Sequence, residues 1–315
     1  MFAFNSKDVS LMAAVAEMRI ATSSHLAFLT DHNREALVKR LNKLCAQGWI
    51  DMKPRQLTRS RGRPELLFSV TDQGLELLAE KGILPRPGSG QPVATATPPS
   101  SPDHCLLVNW ALVHVRCLPR KAPFLKTSCL SSDMVPAPHQ DGSLVSLRDQ
   151  VHMPSGKIEG FVPDLVFCIH HAELAKSLLF FAEVDMGTEE RTSARADDNS
   201  ILAKVRRYQA YFEQNGYKRY EAIWNTTFRG FRLLLIANTN RRLIEVCRLN
   251  ADDQVGPSDF IWSTDSSSLL DKGIHEKIWV RGGRDDRERQ SILGSQWGRF
   301  QTGLAGQLPG SRQVR

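Results

Sequence analysis

The sequence predicts an α+β protein of two folded units: a small helical unit closed by a strand hairpin, then an α/β unit built on a mixed sheet. Three observations carry that expectation. Apolar residues at helical spacing run through the first eighty or so residues, interrupted once by two short β-type runs. A stretch rich in Pro, Gly, Ser and Thr follows, from Arg86-Pro87-Gly88-Ser89 to Pro99-Ser100-Ser101-Pro102, with too little apolar content to fold. Beyond it, apolar runs of strand length alternate with helical patterns, as in an α/β core. The expected boundaries are 1–84 for the first unit, 85–103 for a flexible linker, 104–280 for the second unit and 281–315 for a basic, loosely ordered tail. A chain of 315 residues is long enough for two such units.

In the first unit, residues 8–18 read as one helix, 23–29 as a short second, and 31–46 as a third that opens at a Thr30-Asp31 cap signal. Leu37, Leu41 and Leu44 share one face of the third helix. Rotation by about 100° per residue sets His32, Ala36, Lys39, Arg40 and Lys43 along another. Gly48 ends that helix, and Trp49-Ile50-Asp51-Met52 pairs with Leu66-Leu67-Phe68-Ser69-Val70 as a hairpin. Between the two strands lie Lys53, Arg55, Arg59, Arg61 and Arg63, with no acid after Asp51 until Glu65. Thr71-Asp72-Gln73-Gly74 opens a last helix that turns Leu75, Leu78 and Ala79 inward. Three helices followed by a basic hairpin describe a winged helix-turn-helix, and the partner this predicts is double-stranded DNA. Wing cations neutralise phosphates and release counterions, while the third helix offers side chains to major-groove edges. The formal net charge of +7 favours a polyanionic partner as well. The alternative is that the basic stripe is a solvated face and the winged unit serves protein contacts or dimerisation, so a homodimer stays open.

In the second unit, residues 104–115 form a helix with Leu107, Trp110, Ala111 and Val115 on one side, and no regular pattern is readable from there to about residue 157. Phe161 to Ile169 and Leu178 to Asp185 read as buried strands, 201–214 as a helix capped by Asn199 or Ser200, 232–238 as a third strand and 240–249 as a helix. The tail beginning at Arg281 offers Trp297 and Phe300 as docking points.

The chemistry of this unit lies in its carboxylates. Asp164 follows Pro163 within the first of these strands, and Glu183 and Asp185, separated by one residue, point to the same side of the second. Carboxylates are scarce in buried strands because an unpaired buried charge is costly, so the cluster calls for a compensating group such as Mg2+. Asp164 and Glu183 are the expected metal ligands, and Asp185 and Lys204 complete the candidate catalytic set. A magnesium ion held this way activates water and stabilises a pentavalent phosphate. The alternative reading has the three acids at strand ends facing solvent or paired with Lys204, Arg206 or Arg207. His104 and Asn109 read as helix-cap or core hydrogen-bonding residues, and Tyr208, Tyr211 and Phe212 as helix packing.

Pro163-Asp164, the Glu183-Val184-Asp185 strand and the helix after it resemble the metal-dependent nuclease core of the PD-(D/E)XK superfamily. That resemblance implies a restriction-endonuclease-like α/β domain in which two acids hold the metal and a lysine assists. Where its pattern has lysine this chain has Asp185, and Lys204 stands as a relocated equivalent. A narrower resemblance spans most of the chain. The winged start, the linker, His104-Cys105-Leu106-Leu107-Val108-Asn109, and Glu183-Val184-Asp185-Met186-Gly187-Thr188-Glu189 followed by Lys204 and Tyr208 are similar to the replication-relaxation family of plasmids and mobile elements. It implies a DNA-associated role in replication or relaxation, with replication, conjugation or transposition proteins as partners. Two readings stay open for the second unit: a Mg2+-dependent endonuclease or nickase, and a catalytically inactive sensor or oligomerisation module of a transcriptional regulator.

Other classes are disfavoured. No apolar run approaches the roughly 20 residues of a membrane span, and the first residues lack the pattern of a secretory signal, so a cytoplasmic location is expected. Cys45, Cys105, Cys117, Cys129, Cys168 and Cys247 are too scattered for a zinc site or a disulfide framework. Walker-type loops and Ser-His-Asp arrangements are not discernible.

Overall fold

Each helix of the first unit begins where a short polar side chain can cap it. In the computed structural model, which describes residues 4–55, 65–85, 96–97, 99–131, 147–187, 200–252, 259–284 and 288–294, α1 (Ser6–Met18) is capped by Asn5. The Asn5 side chain accepts from the amides of Lys7 and Asp8, and Asp8 accepts from the Asn5 amide in return. β1 (Ala21–Thr22) leads into α2 (Ser23–Thr30), capped by Thr22. The third helix starts later than the Thr30-Asp31 signal suggests. Asp31 adopts left-handed backbone, φ 56°, and ends α2, while Asn33 caps α3 (Arg34–Ala46), so residues 31–33 form the turn between the helices.

β2 (Ile50–Pro54) and β3 (Leu66–Val70) pair antiparallel, with Met52 opposite Phe68. β3 also holds β1 on its other side, which makes a three-stranded sheet of the expected hairpin. At two residues β1 is too short to leave a periodic signal. α4 (Asp72–Glu80) starts at Thr71 and lies so close to the end of α3 that a Cβ on Gly74 would meet the Trp49 carbonyl oxygen at 2.2 Å, which is why glycine stands there. Arg59, Arg61 and Arg63 lie outside the described residues.

The second unit runs α5 (Pro102–Lys121), β4 (Leu125–Ser131), β5 (Asp149–His152), β6 (Ile158–Phe161), β7 (Leu165–His171), β8 (Lys176–Asp185), α6 (Ile201–Glu213), α7 (Arg219–Trp224), β9 (Phe231–Ala237), α8 (Asn240–Asn250), β10 (Ile261–Asp265), α9 (Ser266–Lys272) and β11 (Val280–Arg281). Its main sheet has the order β11-β10-β9-β8-β7-β4 and is mixed: β4, β7 and β8 are mutually antiparallel, β8, β9 and β10 parallel, and β11 antiparallel. Alternation sends Phe167, Phe180, Leu234 and Ile236 to one face with α5, and Val166, Phe181, Leu233 and Leu235 to the other with α6 and α8. Fully burying each such side chain contributes about 1.5–3 kcal/mol. On the second face the Phe181 ring meets Phe231 at 4.6 Å, Tyr220 at 5.4 Å and Tyr208 at 5.7 Å, which locks α6 onto β8.

Several elements escape the pattern reading. β4, β5 and β6 fall in the stretch without regular periodicity, and the strand expected from Phe161 is in fact the end of β6, a bend, and then β7. Pro163 interrupts the ladder there, and Asp164 sits just before β7 rather than inside it. The segment after Arg281 is more firmly held than its composition suggests, because Ile292 and Leu293 are buried in the core. Trp297 and Phe300 lie outside the described residues.

α5 joins the two units. Leu107, Val108, Ala111 and Val115 share one buried cluster with Leu11, Met12, Val15 and Leu26 of the first unit. Asn109 donates to the Met18 and Ile20 carbonyls at 3.0 and 2.8 Å, the core hydrogen-bonding role its sequence context suggests. His25 Nε2 lies 3.0 Å from the Leu106 carbonyl, and Arg116 pairs with Glu17. Burial pushes His25 down to about 4, so it remains neutral at ordinary pH.

Candidate functional site

Two surfaces hold the residues the sequence singles out. On α3, Leu37, Leu41 and Leu44 are buried and leave Lys39 and Lys43, one turn apart, exposed on the opposite side. Among the described residues neither lysine is ion-paired. His32 is exposed before the helix, with Nδ1 2.7 Å from the Thr30 carbonyl. Arg40 is placed differently: its guanidinium makes a two-pronged ion pair with Asp8, a residue only 1% exposed. It ties α3 to α1 as an internal cross-brace. On the hairpin, Lys53 pairs with Asp51 at 2.9 Å, and Arg55 reaches back to Asp103 at the start of α5 at 2.8 Å.

The second surface is at the C-terminal end of β8. Asp164 and Glu183 are brought together because the residue entering β7 packs beside the end of β8: Asp164 Oδ2 accepts the Val184 amide at 2.8 Å. The same oxygen is 3.1 Å from His104 Nε2, at the first turn of α5. Glu183, nearly buried, receives Lys204 Nζ at 2.9 Å on one oxygen and the Tyr208 hydroxyl at 2.6 Å on the other. Lys204 and Tyr208 are four residues apart on α6, so one helix face supplies both partners. Burial pushes the Glu183 carboxyl above its usual range, while Lys204 opposes the shift. Burial also raises the Tyr208 hydroxyl, which therefore stays a donor.

Asp185 shares the Glu183 side of the strand but not its cluster. Its Oδ2 receives Arg242 Nε of α8 at 2.5 Å, and its Oδ1 accepts the Gly187 amide at 2.8 Å. Gly187 turns the chain out of the strand with φ 74°, a left-handed conformation suited to glycine. Of the four expected catalytic residues, then, Asp164, Glu183 and Lys204 converge, and Asp185 is directed to Arg242. Sequence reasoning passed over His104, Tyr208 and Arg242 as partners. The i, i+4 relation of Lys204 and Tyr208 was the one available signal; the other two meet their acids only through the tertiary fold.

The charge of the cluster decides what it can hold. Two carboxylates and one lysine sum to one negative charge with His104 neutral, and all the acidic donors are hard oxygens, which suits Mg2+ held by one or two carboxylates and water. Among the described residues no group of three or more His, Cys, Asp or Glu side chains is arranged to hold a metal. A zinc-type site of protein ligands is thus not formed by them.

His104 carries a pH signature. Its hydrogen bond to Asp164 raises its pKa above the ordinary value of about 6.5. A histidine bound more tightly to its proton in the folded state stabilises the fold fully below pH ~6.5, and the contribution fades as pH climbs through the raised value. H104N is therefore expected to lower the urea midpoint more at pH 6 than at pH 9. Equal losses at both would mean that the pair is not charged.

No described helix is long and apolar enough to cross a membrane. Comparison with protein families finds the replication-relaxation family, whose model matches residues 12–226, more than half of the chain and a span that takes in α3 and the Asp164, Glu183 and Lys204 cluster. No curated protein and no solved structure matches the chain.

Proposed function

Because the chain belongs to the replication-relaxation family, we propose that it is a duplex-DNA-binding protein acting in the replication or relaxation of a plasmid or mobile element. The observation that carries this reading is the exposed pair Lys39 and Lys43 on the face of α3 opposite its buried leucines. With the β2–β3 hairpin beside it, α3 has the form of a recognition helix in a winged helix-turn-helix, and the two lysines supply the phosphate or base-edge contacts. Arg40 and Arg55, held by Asp8 and Asp103, shape this surface from within.

The Asp164, Glu183 and Lys204 cluster gives the second unit its nuclease-like reading. Asp164 and Glu183 would hold a magnesium ion, which supplies Lewis-acid activation of water and charge stabilisation at a phosphate when bound. Lys204 neutralises Glu183, Tyr208 orients it, and His104 and the Val184 amide fix Asp164. Supercoiled plasmid incubated with saturating protein and Mg2+ or Mn2+ is expected to be nicked or relaxed, and D164N to lose that activity by roughly a thousandfold, the scale of a lost metal ligand at a catalytic centre. Intact plasmid under saturated binding would reject the enzymatic reading.

A second reading rests on a specific feature: each acid already meets a cationic or protonatable side chain of the chain itself, Glu183 with Lys204, Asp185 with Arg242 and Asp164 with His104. A unit neutralised from within suits a catalytically inactive sensor or oligomerisation module, and duplex binding at spaced half-sites without cleavage would select it.

A further inference from the structure

The parallel strands β8, β9 and β10 begin at one end of the main sheet and carry the carboxylates at the other. Lys176 opens β8, Arg232 is the second residue of β9, and Phe260 immediately precedes β10. A groove of about 690 Å3 is cut across these strand starts, within the range of small-ligand sites. At about 3.3 Å per residue along β8, its nearest lining residue on that strand, Leu179, lies roughly 13 Å from Glu183, so it is distinct from the carboxylate cluster.

Its lining combines two chemistries. Arg232 packs its guanidinium over the Trp262 ring, 4.7 Å from the centroid, and donates to the Ile292 carbonyl. Burial draws its pKa down to about 10, and no carboxylate among the described residues offsets that cost. Lys176 and Arg229 are exposed at the rim and likewise have no acid partner among the described residues. Asp259 is the one acid lining the groove among those residues, and it sits 3.8 Å from Arg281 and 3.9 Å from Arg284. Beside these cations Phe212 and Phe260, both half-buried, stack at 4.9 Å and form an aromatic wall. A half-buried cation without a carboxylate partner among the described residues, more cations at the rim and a ring wall together recognise an anion attached to a flat ring.

We propose that this groove binds a nucleotide, its phosphate against Arg232, Lys176 and Arg229 and its base against Phe260 and Phe212. The nucleotide comes either as a unit of single-stranded DNA or as a free mononucleotide. The test uses the full chain carrying K39E/K43E, which removes the duplex-binding face, with fluorescein-labelled oligothymidylate followed by anisotropy and with dTMP and inorganic phosphate as competitors. The expected result is that K39E/K43E still binds the oligonucleotide. Adding K176E/R229E should weaken it at least roughly tenfold with the thermal midpoint unchanged, and adding F260A roughly fivefold or more when measured well below its own lowered midpoint. Displacement by dTMP identifies a free mononucleotide as ligand, and binding that dTMP does not displace identifies the strand. The proposal is overturned if neither probe binds, if K176E/R229E and F260A leave affinity unaltered, or if inorganic phosphate displaces the oligonucleotide as readily as dTMP does.

Discussion

Reversing two charges, K39E/K43E, is expected to weaken duplex binding by at least roughly a hundredfold at about 100 mM salt. Each substitution removes a phosphate or base-edge contact of about 1–3 kcal/mol and sets a like charge against the backbone. Both side chains are exposed and without an ion-pair partner among the described residues, so folding should be unaffected and thermal midpoints should match the wild type. R40E would be uninformative in this assay. It would set a second carboxylate against buried Asp8 and destabilise the α1–α3 contact, confounding binding with unfolding.

The largest stability effect is expected at Lys204. K204M leaves Glu183 buried with Tyr208 as its remaining side-chain partner among the described residues, and removing one member of a buried ion pair costs roughly 3–5 kcal/mol. The sign with pH follows from the raised carboxyl. In the unfolded chain Glu183 ionises near pH ~4.3, below its folded value, so the cost of burying its charge grows as pH rises through that interval and is full at neutral pH. The K204M deficit should therefore be large at pH 7 and shrink toward pH 4, and adding E183Q should restore most of the loss. Chemical denaturation of the three proteins across pH reads this directly; a deficit independent of pH would place the effect in packing.

How much of this was legible beforehand depends on the range of the interaction concerned. Local signals are reliable: Thr71 and Ser200 cap the helices that follow them, and Leu37, Leu41 and Leu44 mark the buried side of α3. The boundary of α3 was misplaced because Asp31, a good cap by type, adopts a left-handed conformation that only the packing of α2 reveals. β4 was hidden for a different reason. It alternates Leu125, Thr127 and Cys129 with Lys126, Ser128 and Leu130, and becomes a strand only by pairing with β7.

The site divides along the same line. Strand alternation correctly puts Glu183 and Asp185 on one side of β8, whereas Tyr208, read as helix packing, stands one turn from Lys204 and shares Glu183 with it. What alternation cannot show is which helix stands over each acid: α6 covers Glu183, α8 covers Asp185, and Arg242 takes the latter away from the cluster. His104 reaches Asp164 across 60 residues because α5, which also docks the first unit through Asn109, begins beside β7. One helix thus carries both the contact to the first unit and a hydrogen-bonding partner of the carboxylate cluster.

The central claim, that the first unit binds duplex DNA through cations on α3, is tested most directly by the salt dependence of duplex affinity for the full chain. Two lysine–phosphate contacts predict a linear fall of log affinity with log salt, at least roughly tenfold between about 50 and 200 mM, with a shallower slope for K39E/K43E. An affinity insensitive to salt, or a slope that the double substitution leaves unchanged, would contradict it.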